Sequence, residues 1–134
     1  MWKLAICVFL GSGIGGVCRY LASRYIEKFI GAMSVVGAVK VFPWPTLMVN
    51  ILGCFLIGLI YGVVDGNTFH LSEQAKAFLT AGFCGGLTTF STFSNENYLL
   101  FQSSEFSILL IYVAVSILLG FLAAYGGHAL MRAV

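Results

Sequence analysis

Gly82-Phe83-Cys84-Gly85-Gly86-Leu87-Thr88-Thr89-Phe90-Ser91-Thr92-Phe93-Ser94-Asn95-Glu96 is the stretch on which the fold turns. It overlaps an uncharged run, Ala77 to Asn95, of nearly the length that crosses hydrocarbon as a helix, roughly 20 residues. Yet it carries paired glycines and five hydroxyl side chains. Glycine supports a helix poorly, so Gly85-Gly86 predicts a break. A break at membrane depth bares carbonyls and amides that lipid cannot satisfy, and it is tolerated only against protein or a water-filled cavity. Bared carbonyls make a hard oxygen site for a cation such as sodium. The other reading is that the glycines only permit tight packing while the hydroxyls bond back to their own helix. Composition alone leaves both open.

The rest of the chain sets the context. It has 134 residues, 60% of them hydrophobic and 9% charged, with a mean hydropathy of +0.98. Soluble domains carry about a quarter charged residues. Seven Lys and Arg and five Asp and Glu cannot cover a soluble surface of this size. A soluble enzyme, a disordered tail and a nucleic-acid binder, which would need a basic patch, are therefore excluded. What remains is a single all-α transmembrane domain covering 1–134, with spans at about 4–26, 43–64, 75–101 and 106–131. Continuous apolar runs of this length favour helices over a barrel, whose strands would alternate with period two.

The predicted connections are short. The first runs from Glu27 to Lys40 and is loosened by Gly31 and Gly37; Pro43 and Pro45 then suit the first turn of a helix. Asp65-Gly66-Asn67 is a turn signal, Ser72 followed by Glu73 is a helix start, and Gln102 to Glu105 is a tight polar turn. The first apolar run continues past Arg19, so it reads as a retained span rather than a cleaved signal.

Topology normally follows the loop Lys and Arg. Lys3, Lys76 and Arg132 fall on one side, and Arg24, Lys28 and Lys40 on the other, so the bias is close to nil. Insertion in both orientations with pairing of inverted copies explains the balance; a single missed determinant is the alternative. Cys7, Cys18, Cys54 and Cys84 lie within spans without metal or redox spacing, and read as small fillers. His70 and His128 likewise lack a partner at metal-ligand spacing. Small residues recur four apart at Gly11/Gly15, Ser12/Gly16, Gly58/Gly62, Gly82/Gly86 and Ser116/Gly120. Such pairs let helix backbones approach in lipid; four short helices cannot enclose a polar path and also pack all these faces, which predicts a homo-oligomer, most simply a homodimer.

Other polar groups sit in the spans. Asn50 places an amide in an apolar run, where it either donates to an anion or makes an interhelical hydrogen bond. Phe90 and Phe93 share a helix face; their positive ring edges would suit a small anion, or the rings simply pack. Tyr112, Ser116 and Gly120 form a stripe compatible with a path or with packing. Arg19 and Glu96 lie near span ends, as vestibule or interface charges that could snorkel.

At these residues the sequence resembles the bacterial fluoride channel family, Fluc or CrcB. The likeness rests on Gly11-Ser12-Gly13-Ile14-Gly15-Gly16-Val17-Cys18-Arg19-Tyr20, on Pro45-Thr46-Leu47-Met48-Val49-Asn50-Ile51-Leu52-Gly53-Cys54-Phe55, and on Gly82 to Glu96. Ser12, Cys18 and a long first loop depart from the family pattern. The resemblance implies four transmembrane helices with a broken third helix, assembled as a dual-topology antiparallel homodimer in the bacterial inner membrane. It also implies two fluoride pores and a structural sodium ion at the dimer centre, held by the backbone carbonyls of Gly85 and Thr88. Asn50, Phe90 and Phe93 would line the pore, with Tyr112 and Ser116 on a polar track. Hydroxyls of Ser91, Thr92, Tyr112 and Ser116 are then candidate donors replacing fluoride's water. The implied function is passive fluoride export conferring fluoride resistance, with lipid as the surrounding partner and no enzyme activity. The alternative is a small four-helix multidrug or cation exporter, which would need a membrane carboxylate in the first span; none precedes Glu27.

Overall fold

A computed structural model describes residues 1–33, 42–66 and 70–133. Its described residues form helices and no strand. Helix α1 spans Trp2–Met33, α2 Trp44–Asp65, α3 Glu73–Ala77, α4 Gly85–Leu87, α5 Phe90–Gln102 and α6 Phe106–Arg132; a π-helical stretch, Phe78–Cys84, joins α3 to α4. Three helices are long and apolar enough to cross a membrane: Trp2–Ile30, Trp44–Asp65 and Phe106–Arg132. The chain is a multi-pass membrane protein. Its large outward side chains agree with lipid as solvent, among them Phe9 at 76% exposure and Phe121 at 68%.

Local chemistry sets the helix ends. Pro43 precedes α2 and Pro45 sits in its first turn, where a missing N–H costs nothing. Ser72 caps α3, its Oγ accepting from the Ala75 N–H at 3.2 Å. Between α5 and α6 the chain reverses through Ser104, whose φ of 60° lets the Glu105 N–H reach the Leu100 carbonyl at 2.9 Å. One sequence expectation shifts. Glu27 and the residues after it belong to α1, which continues to Met33, so the first connection begins later than read. Gly37, Lys40 and Asn67 lie outside the described residues.

Two glycine-seated contacts build the framework. In the first, α2 lies against α6: a Cβ at Gly58 would strike the Ala124 carbonyl, and one at Gly62 would come within 2.7 Å of the His128 carbonyl. In the second, α1 lies against residues 78–88: a Cβ at Gly11 would strike the Phe78 carbonyl, and one at Gly86 would stand 2.5 Å from the Ser12 carbonyl. The small-residue stripes therefore bring backbones together within one chain, which weakens them as an argument for a dimer. Leu47, Leu100 and Tyr112 form the core, flanked by Phe42, Ile51, Phe93, Ile108, Leu109 and Val115.

Candidate functional site

Sequence reasoning put a break at Gly85-Gly86. The structure corrects its place. Gly85 has φ −64° and ψ −36°, which is helical, and α4 continues to Leu87. The backbone leaves helical geometry at Thr88 (φ −84°, ψ 157°) and Thr89 (φ −149°, ψ 115°), and α5 starts at Phe90. The glycines serve close approach to α1; the threonines carry the extended backbone.

A distant residue explains why the threonines extend. The Thr89 N–H donates to Asn50 Oδ1 at 2.8 Å, and Asn50 Nδ2 donates to the Thr89 carbonyl at 3.2 Å. The side-chain amide copies a peptide group and satisfies both polar atoms of one extended residue, which is 8% exposed. This is the interhelical alternative weighed for Asn50, and it commits one of the amide's two N–H bonds. In a continuous helix the Thr89 N–H would serve the Gly85 carbonyl; turned to Asn50, it leaves that oxygen without its helical donor. Thr89 also caps α5, its Oγ1 accepting from the Thr92 N–H at 3.2 Å and lying 3.0 Å from Thr92 Oγ1 and 3.2 Å from Ser91 Oγ. The Ser91 and Thr92 hydroxyls thus gather round this cap. Thr88 Oγ1 donates back to the Cys84 carbonyl at 2.9 Å and Thr80 Oγ1 to the Lys76 carbonyl at 2.8 Å, so these two hydroxyls serve their own helix. The Thr88 carbonyl accepts from Arg19 Nη1 at 3.3 Å.

A second cluster lies further along α5. Glu96 was read as a charge near a span end. Instead its Oε1 accepts from Thr46 Oγ1 at 2.6 Å and its Oε2 from the Tyr112 hydroxyl at 2.7 Å. Tyr112 is fully buried and Thr46 5% exposed, and together these two donors hold the half-buried Glu96 carboxylate. It follows that the Tyr112 hydroxyl is directed at Glu96. Phe93 packs against Tyr112 at 5.0 Å between ring centroids and against Phe90 at 5.9 Å; Phe90 itself is 79% exposed. Ser116 Oγ, one turn from Tyr112, is buried without a hydrogen-bond partner among the described residues, and so is Asn97 Oδ1.

The structure thus joins Asn50 with Thr88–Thr89–Ser91–Thr92, and Phe93 with Tyr112 and Glu96. Arg19 belongs to the first group; Phe90 stands outward from both. Sequence reasoning assigned no role to Thr46, Thr89 or Asn97. Thr46 sits four residues before Asn50 on the same face of α2, and that spacing was the available signal.

A polytopic helical membrane protein with an extended, side-chain-stabilised backbone element and an internal carboxylate is the class these features define. Residues 6–128 match the family model described as CrcB-like protein, Camphor Resistance (CrcB). The chain is 40% identical over 125 residues to a protein of Flavobacterium psychrophilum named fluoride-specific ion channel FluC, covering 93% of this chain and 94% of that one. A protein of the same name from Bacteroides fragilis is 42% identical over 125 residues, 93% of each chain, and one from Rhizobium etli 38% identical over 130 residues, 97% of each. The chain belongs to the CrcB family.

Proposed function

We propose that this chain is a subunit of a passive, fluoride-selective channel of the bacterial cytoplasmic membrane. The observation that carries the reading is its likeness, over nearly its whole length, to relatives named fluoride-specific ion channels. The local chemistry supports it. Fluoride is small and strongly hydrated, so a pore has to offer donors in place of water without a ligand strong enough to trap the ion. The Ser116 hydroxyl, unpartnered among the described residues, and the second N–H of Asn50 are such donors, and the Phe93 ring packs against Tyr112, one turn from Ser116. Glu96 orients the Tyr112 and Thr46 hydroxyls.

The working unit is an antiparallel homodimer whose third membrane span, residues 75–101, is broken at Thr88-Thr89. Support comes from α5, where Ser91, Thr92, Ser94 and Asn95 are exposed alongside Phe90. Lipid is a poor solvent for that face, and a second copy covers it. The even distribution of Lys and Arg lets copies insert in both orientations. The Gly85 and Thr88 carbonyls suit a structural sodium ion: both are hard oxygens, Gly85 is exposed, and Gly85 has lost its helical donor to Asn50. Sodium bound there would supply positive charge that ties the two subunits and favours anions nearby.

Flux from proteoliposomes loaded with fluoride or chloride tests the function. Fluoride leaves through the protein, while chloride efflux stays near that of empty liposomes. Equal passage of the two ions overturns the selectivity reading.

A further inference from the structure

Gly11, Gly15 and Arg19 fall four apart and share one stripe of α1. The first two fix the register of α1 against residues 78–88. A Cβ at Gly15 would strike the Phe83 carbonyl and come within 2.9 Å of the Leu87 N–H nitrogen; one at Gly86 would lie 3.0 Å from the Gly16 nitrogen. Ser12 Oγ adds a bond to the Gly82 carbonyl at 3.4 Å. With the backbones seated so closely, the next residue of the stripe arrives where α4 ends. That residue is Arg19, and its Nη1 donates to the Thr88 carbonyl at 3.3 Å. The guanidinium is half-buried, and its hydrogen-bond partner among the described residues is this neutral oxygen rather than a carboxylate.

We propose that the Arg19 guanidinium competes with sodium for the Thr88 carbonyl and so sets how weakly the metal is held. Arg19 is thereby a positioning residue for the break and a tuning residue for the ion. The inference rests on the sodium reading above. A carbonyl oxygen has two lone pairs, so both cations can address it. Two positive charges within a few ångströms, away from bulk water, repel one another strongly. When sodium is absent, Arg19 satisfies an oxygen that lipid would leave bare. When sodium binds, it does so against this charge.

The test uses the purified full chain in detergent. Dimer fraction by size exclusion and the thermal unfolding midpoint are followed while sodium replaces N-methylglucamine at constant ionic strength. For Arg19→Gln, which keeps N–H donors and removes the charge, the sodium concentration at half effect falls by about tenfold or more, equal to about 1.4 kcal/mol. For Arg19→Lys, which keeps the charge, it stays within about threefold of the unsubstituted protein. An unchanged or higher sodium demand in Arg19→Gln overturns the competition and leaves the sodium site standing. An unsubstituted protein indifferent to sodium overturns the sodium reading and the competition together. If Arg19→Gln fails to assemble, Arg19→His is compared at about pH 5.5 and about pH 8, with the unsubstituted protein as control. Its sodium demand is lower at the higher pH; a demand that does not move overturns the proposal.

Discussion

The α2–α6 pair and the packing of α1 on residues 78–88 use the same device for different ends. Both rest glycine backbone on a neighbour's carbonyl: Gly58 on Ala124 in the first case, Gly15 on Phe83 in the second. In α2 and α6 the helices run unbroken for 22 and 27 residues. Beside α1 the helix stops after Leu87, and of the two extended residues that follow, Thr89 depends on a side chain from α2. Beyond them, Leu100 is the only buried residue of α5. One half is therefore a scaffold of two unbroken helices in close backbone contact. The other half is a polar seam in which Thr89 borrows its backbone bonds from Asn50 and α5 exposes Ser91, Thr92, Ser94 and Asn95.

Substitutions sharpen this contrast. Gly58→Leu strikes at the scaffold. Its side chain has to enter the Ala124 backbone, which cannot give way as a side chain does, and the outcome is loss of monodisperse protein on size exclusion. Asn50→Leu strikes at the seam. It strands the Thr89 N–H and carbonyl at a cost of about 2–5 kcal/mol; a thermal midpoint lowered by many degrees and loss of fluoride flux are expected. Stability unchanged in Asn50→Leu would mean that the extended residues find other partners. Tyr112→Phe leaves ring packing intact and removes one donor to Glu96, costing about 1.5–3 kcal/mol. Flux falls several-fold in the liposome assay, with the elution volume on size exclusion unchanged. Phe93→Ile keeps an apolar filler beside Tyr112 but loses the ring edge, so flux drops by more than stability does. Normal conduction in that variant would remove the ring edge from the mechanism. Ser104→Gly, at a turn outside both halves, relieves a positive φ and changes stability by less than about 1 kcal/mol, read as a small shift in thermal midpoint.

What could be read in advance follows the same division. The apolar runs of α2 and α6 are legible because their signal is local and compositional. Ser72 and Pro45 mark helix starts for equally local reasons. The irregular element was legible as a region but misplaced by a few residues. Glycine pairs are the local cue for a weak helix, yet Gly85 and Gly86 are followed by helical Leu87. Thr89 is drawn out by a residue 39 positions earlier, and no window of sequence contains that pairing. Glu96 is the same case, since its partner Thr46 is 50 positions away. A charge near the end of an apolar run reads as a boundary until the helix that shelters it is placed.

Asn50 precedes Thr89 in the chain, and that order has a consequence for biogenesis. Ribosomal synthesis delivers the amide before the peptide group that needs it. The second helix is made before the irregular piece, so the side chain that substitutes for water at each polar atom of Thr89 is synthesised first. A chain with the two segments exchanged would make that peptide group before the amide that satisfies it.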